Sequence, residues 1–254
     1  MIQIRAGSQE FYVKVFVFDK DGLLFKSVPF WKGLADSRLR ALESIFGPDL
    51  SQGWAKMSGV TVENGPEGWH TTDVDTTGLF ALASPTEERT VMAGYLAAEK
   101  KLPWNEAVKI SREIFSKSDK LLDLKASIEP RKGFPEIFRR LRDAKIPYGV
   151  ATSDNYDRTV RSVGFFDDPE KLSFIITPED VSRGKPDVEM LELIAKKMKV
   201  EPCHMVMVGD SVVDLMMAKK AGAIGIGIPE HPEMAEKMKP YTNIILEDLD
   251  EIVI

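Results

Sequence analysis

VKVFVFDKDGLL, residues 13–24, is an apolar run that stops at two aspartates one residue apart. Four consecutive apolar side chains, Val15 to Phe18, suit a parallel strand covered by helices on both faces, because a half-exposed strand would alternate with polar residues. Asp19 then falls at the carboxyl end of that strand, with Gly22 free to turn the backbone, and open α/β sheets bind ligands at that end. Asp19 and Asp21 share one mouth and repel each other, so they persist together where a cation lies between them or where one carries a proton. Both conditions suit chemistry on phosphate. Asp and Gly also simply break strands in turns, so the partners of these residues decide between the two readings.

From Gly133 onward the pattern alternates between helix and strand. Phe134, Ile137, Phe138 and Leu141 stand at i, i+3, i+4 and i+7, the spacing of a helix with one apolar face. Strands are expected at Tyr148–Ala151, Ser173–Ile176, Met205–Val208 and Ile224–Ile228, separated by helical stretches such as Leu191 to Met198. Together with the first strand this is an α/β fold, a doubly wound, Rossmann-like parallel sheet. Three strands end in polar residues: Asp19 and Asp21, Thr152 and Ser153, and Asp210 followed by Asp214. Parallel strands bring their carboxyl ends to one edge, so these groups converge, and Lys185 comes from a loop of the same region. Each has a task if the substrate is a phosphate ester. Carboxylates suit a hard cation such as Mg²⁺; a lysine and a hydroxyl hold phosphate oxygens; one carboxylate attacks phosphorus while another handles the proton of the leaving alcohol.

The intervening stretch is mainly helical, with helices expected over Trp31–Phe46, Thr86–Lys100 and Trp104–Leu122. Gly59 to Pro85, with Gly65, Pro66, Gly68, Gly78 and a TTDVDTTG run, is either a lid-like loop or contains a hairpin. Its Asp73 and Asp75 are turn carboxylates or a second cation site. Arg38, beside an apolar helical stripe, either reaches a substrate phosphate or pairs locally. Met1 to Tyr12 reads as two extended pieces around Ala6 and Gly7, one of them an extra edge strand.

The 254 residues are 43% hydrophobic and 29% charged, as in soluble globular proteins, and the formal charge of -6 gives no basic footprint for nucleic acid. The single cysteine, Cys203, cannot form an internal disulfide and reads as a half-buried thiol at a strand start. No stretch approaches the ~20 apolar residues needed to cross a bilayer, and the start carries no secretory pattern, so the expected location is cytoplasmic, away from membranes.

The segments DKDG (19–22), ATS (151–153), GKPD (184–187) and GDSVVD (209–214), in this order, resemble the four motifs of the haloacid dehalogenase-like (HAD) hydrolase superfamily, phosphoglycolate phosphatase-like branch. The resemblance covers the whole chain. It implies a catalytic core of residues 1–26 and 131–254, and an inserted helical cap of type C1 at 27–130. Asp19 then corresponds to the nucleophile that becomes an aspartyl-phosphate, Asp21 to the general acid and base, and Lys185 to the lysine steadying both phosphate and nucleophile. Thr152 and Ser153 correspond to the phosphate-binding loop; Asp19, Asp210, Asp214 and the Asp21 carbonyl correspond to the Mg²⁺ site. One departure is Val188, where relatives often carry a proline.

Asp21 also separates branches of the superfamily, since dehalogenases and phosphonate-cleaving members lack an acid there. The resemblance therefore implies a Mg²⁺-dependent phosphatase acting on a small phosphorylated metabolite. A phosphomutase on the same core is the alternative, and a non-catalytic phospho-acceptor or binding protein is a further one. A signalling receiver domain shares the acceptor aspartate but lacks the second acid and is about half this length. The alcohol would be selected by the cap and its border, where Arg38, Trp54, Trp69, His70 and Arg131 are candidates.

Overall fold

The computed structural model describes residues 1–65 and 68–254, which form two compact units, Met1–Ser27 with Pro130–Ile254, and Val28–Glu129. The chain opens with β1 (Ile2–Ala6), β2 (Gln9–Val13) and β3 (Val15–Phe18). The inserted unit follows with α1 (Ser27–Phe46), α2 (Pro48–Met57), β4 (Val60–Gly65), β5 (Gly68–Val74), the short α3 (Leu79–Leu82), α4 (Pro85–Lys100), α5 (Trp104–Leu121) and α6 (Leu124–Ser127). The first unit then resumes with α7 (Glu136–Asp143), β6 (Tyr148–Ala151), α8 (Tyr156–Gly164), β7 (Phe174–Ile176), α9 (Glu189–Met198), β8 (Met205–Gly209), α10 (Val212–Ala221), β9 (Ile224–Gly227), α11 (Pro232–Met238) and β10 (Ile252–Val253).

Five strands form a parallel sheet in the order β7-β6-β3-β8-β9. β3 is central and all four of its residues are buried. The unbroken apolar run is explained by what covers it. Val15 and Val17 face a cluster with Met205, Met207, Met190, Leu191, Ile194 and Met217. Phe16 and Phe18 stack at 5.8 Å on the other side, where Phe18 meets Phe138 of α7 at 5.3 Å. Each fully buried Phe or Leu contributes about 1.5–3 kcal/mol of transfer free energy, so neither face tolerates a polar side chain.

β1 and β2 depart from the expected edge strand. They pair with β10 in a separate antiparallel sheet of order β10-β1-β2. Their alternating burial gives the reason: Ile4, Ala6 and Val13 are covered while Gln3, Arg5, Gln9 and Glu10 do not reach the core, a pattern that suits one covered face rather than two. Cys203 also departs from expectation, lying exposed in the turn Pro202–His204 ahead of β8.

Within the inserted unit, the stretch that read as loop or hairpin is a hairpin followed by a turn. β4 pairs with β5 through Glu63↔His70 and Asn64↔Trp69, while Pro66 and Glu67 of this stretch lie outside the described residues. Asp75 accepts the backbone N–H and the hydroxyl of Thr77, both at 2.8 Å, which makes it a turn carboxylate. A capping box between Ser84 and Glu87 starts α4.

Candidate active site

Asp19 leaves β3 with its N–H donating to the Val208 carbonyl of β8 at 2.9 Å, which fixes its backbone between two strand ends. The chain then turns tightly, Gly22 donating to the Phe25 carbonyl at 2.7 Å. On β8, Gly209 and Asp210 lead into α10, whose first turn is closed by a capping box: Ser211 donates to Asp214 Oδ2 through its hydroxyl at 2.5 Å. Lys185 projects between these segments. Its Nζ lies 2.6 Å from Asp19 Oδ1 and 2.6 Å from Asp214 Oδ1, so one buried ammonium bridges two carboxylates. Asp19, Asp210 and Asp214 each place an oxygen within 4.8 Å of one another.

The electrostatics of this cluster are unbalanced. Three carboxylates face one lysine, and burial removes the water that would screen them. Burial lifts the Asp19 carboxyl to about 7 against the pull of Lys185, with Asp214 and Asp21 adding repulsion. Asp210 is raised well above the usual carboxylate range by burial, then by Asp19, Asp214 and Glu230. Lys185 is held the other way: burial disfavours its charge, but Asp19 and Asp214 together raise it. Several buried carboxylate oxygens with excess negative charge form a donor set that fits a hard divalent cation.

Beside this cluster is a second one that the sequence reading missed. Asp21 has a carboxyl raised by burial and opposed by Lys20, whose Nζ donates to Asp21 Oδ1 at 2.6 Å. Lys20 also reaches Asp154 Oδ2 at 2.9 Å, and Arg158 Nε donates to Asp154 Oδ1 at 2.9 Å. The i, i+4 spacing of Asp154 and Arg158 was a usable signal; the lysine between two acids gave none of its own. Thr152, 1% exposed, accepts the Asp154 N–H at 3.1 Å, which leaves its hydroxyl hydrogen free to donate. Ser153 is exposed next to it.

Several substrate-selecting candidates prove to have other partners. Arg38 is 1% exposed inside its unit, donating to Glu88 through Nε at 3.1 Å and Nη2 at 3.2 Å, with its guanidinium 3.5 Å from the Phe115 ring centre. The enclosing helices replace the expected reach toward a phosphate with a buried ion pair. Trp54 is fully buried against Tyr95, 5.6 Å between ring centres. Arg131 donates to three backbone carbonyls, those of Gly22, Ile228 and Pro229, and so acts as a brace. Trp69 is half-buried and His70 exposed on β5.

Comparison with known proteins adds independent information. A family model described as haloacid dehalogenase-like hydrolase matches residues 13–222. The validoxylamine A 7'-phosphate phosphatase of Streptomyces hygroscopicus subsp. limoneus is 30% identical over 120 residues, 47% of this chain and 55% of that enzyme, so the match spans about half of it. The phosphoglycolate phosphatase of Shigella boydii is 27% identical over 218 residues, covering 83% of this chain and 79% of that one. Among solved structures, a predicted phosphoglycolate phosphatase from Haemophilus somnus superposes with a TM-score of 0.65 at 18% identity over 93% of this chain and 94% of that one, a likeness of fold.

Proposed function

The chain belongs to the haloacid dehalogenase-like hydrolase family, and on that premise we propose that it is a Mg²⁺-dependent phosphatase that hydrolyses a small phosphate monoester through phosphorylated Asp19. The observation that carries the reading is the bridge of Lys185 between Asp19 and Asp214 beside Asp210, which assembles a nucleophile, a cation and a metal donor set on one sheet edge. In the first step an Asp19 oxygen bonds to phosphorus, the bond from phosphorus to the alcohol oxygen breaks, and Asp21 gives that oxygen its proton. In the second, a water oxygen bonds to phosphorus, Asp21 takes the proton, and the bond to Asp19 breaks to release inorganic phosphate. Lys185 and the Thr152 hydroxyl hold the phosphoryl oxygens, with Ser153 beside them.

Asp19, Asp210 and the Asp21 carbonyl would hold the metal directly. Asp214, with both oxygens engaged by Ser211 and Lys185, supports them from behind. When bound, Mg²⁺ neutralises charge on the transferring group. The inserted unit is the substrate-selecting cap, and the cytoplasm is the proposed location; no helix among the described residues is long and apolar enough to cross a membrane. Phosphatases among the sequence relatives favour hydrolysis over the mutase alternative. Release of inorganic phosphate from p-nitrophenyl phosphate with and without Mg²⁺ tests the reading; a panel of phosphate esters identifies the alcohol.

Two further results are expected. A carboxyl raised in the folded state keeps a proton that the unfolded chain has released, so metal-free stability falls as pH rises from 3.8 through about 7, the interval over which Asp19 is shifted. Mg²⁺ replaces that proton. It should therefore raise the melting temperature more at about pH 8 than at about pH 5.5, and equal gains would count against Asp19 and Asp210 as ligands. Gly22 has φ +83° and a Cβ there would lie 1.9 Å from Asp210 Oδ2. Gly22→Ala should therefore displace Asp210 and lower kcat by about 10²-fold, a loss that steady-state kinetics with p-nitrophenyl phosphate would measure.

A further inference from the structure

Lys20 stands between the two acids of the first motif with its side chain fully buried. Burying an ammonium is costly unless carboxylates compensate it. The compensation is specific. Nζ lies 2.6 Å from Asp21 Oδ1 and 2.9 Å from Asp154 Oδ2. Asp154 is gripped from behind by Arg158, whose Nε donates to Oδ1 at 2.9 Å and Oδ2 at 3.1 Å, while Nη2 also reaches Oδ1. Charges thus alternate along Asp21, Lys20, Asp154 and Arg158. The chain of contacts continues through the Asp154 N–H to Thr152 Oγ1 at 3.1 Å, which ties the loop after β3 to the loop after β6. At Asp21 the ammonium engages Oδ1.

We propose that Lys20 is a positioning residue for Asp21: anchored by Asp154 and Arg158, its ammonium holds Oδ1 so that Oδ2 meets the oxygen that gains or loses a proton. Asp154 and Arg158 belong to the same device, as the support that keeps Lys20 from following Asp21. The inference rests on the phosphatase reading above, in which Asp21 serves both steps.

p-Nitrophenyl phosphate separates those steps, because p-nitrophenolate departs without a proton whereas hydrolysis of phosphorylated Asp19 still needs Asp21. In Lys20→Met, kcat should fall about 10²-fold, the usual consequence of a catalytic group displaced by an ångström. kcat/KM should change by about threefold or less, and rapid mixing should show a burst of p-nitrophenolate stoichiometric with the protein. Asp154→Asn removes the rear anchor at constant shape and should produce the same split at about tenfold, so it carries the test if Lys20→Met does not fold. A proportional fall in kcat and kcat/KM without a burst, or an unchanged kcat, overturns the positioning role while the phosphatase reading stands. Wild-type protein that releases no phosphate from any ester with Mg²⁺ removes both.

Discussion

Asp19→Asn should abolish turnover while leaving the protein folded. The substitution keeps the shape of the side chain but removes the charge that attacks phosphorus, and loss of a covalent nucleophile in comparable enzymes costs about 10⁴-fold or more. Folding should not suffer. Burial and the neighbouring Asp214 and Asp21 already disfavour a charged Asp19, and Lys185 keeps its 2.6 Å contact with Asp214 when Asp19 is neutralised. The metal-free variant should therefore melt at or above the wild-type temperature at about pH 8, where wild-type Asp19 is ionised. Phosphate release and a thermal melt on the same preparation check both halves, and retained activity would refute the nucleophile assignment.

Lys185→Met should be damaging in both respects. The ammonium is the cation common to Asp19 and Asp214, and its side chain is 3% exposed, so water cannot take its place. Removing one partner from a buried ion-pair cluster leaves uncompensated charge and costs about 3–5 kcal/mol. Activity should drop by about 10³-fold, because preorganised positive charge at the phosphoryl group is lost. Mg²⁺ should restore part of the stability and none of the lost rate, since the metal neutralises the carboxylates but does not occupy the lysine's position. Denaturant midpoints and kcat, each with and without Mg²⁺, separate the two losses.

The parallel sheet was legible because its signal is local and one-dimensional: a strand covered on both faces must be continuously apolar, and VFVF satisfies that without reference to any partner. That the strand ends carrying Asp19, Thr152 and Asp210 share one edge was legible because parallel topology places strand ends together whatever the loop lengths, whereas Lys185, on a loop, was assigned from the resemblance of its GKPD segment. What could not be read was pairing between side chains whose spacing is not periodic. Lys20 looks like any surface lysine until Asp154, far along the chain, is seen 2.9 Å from it. Arg38 offered phosphate binding as well as the commoner local pairing, and Glu88, 50 residues away, decides for pairing. The first strands were misplaced for a related reason: half-covered alternation identifies a strand but not which sheet receives it, and their partner β10 is the last element of the chain.

The claim on which the rest depends is that Asp19 carries the phosphoryl group during turnover. Asp21→Asn removes the base for the second step and should let that species accumulate with p-nitrophenyl phosphate and Mg²⁺, so that acid quenching, digestion and peptide mass analysis will find the phosphoryl group on Asp19. Release of p-nitrophenolate with the phosphoryl group on another residue would contradict the account.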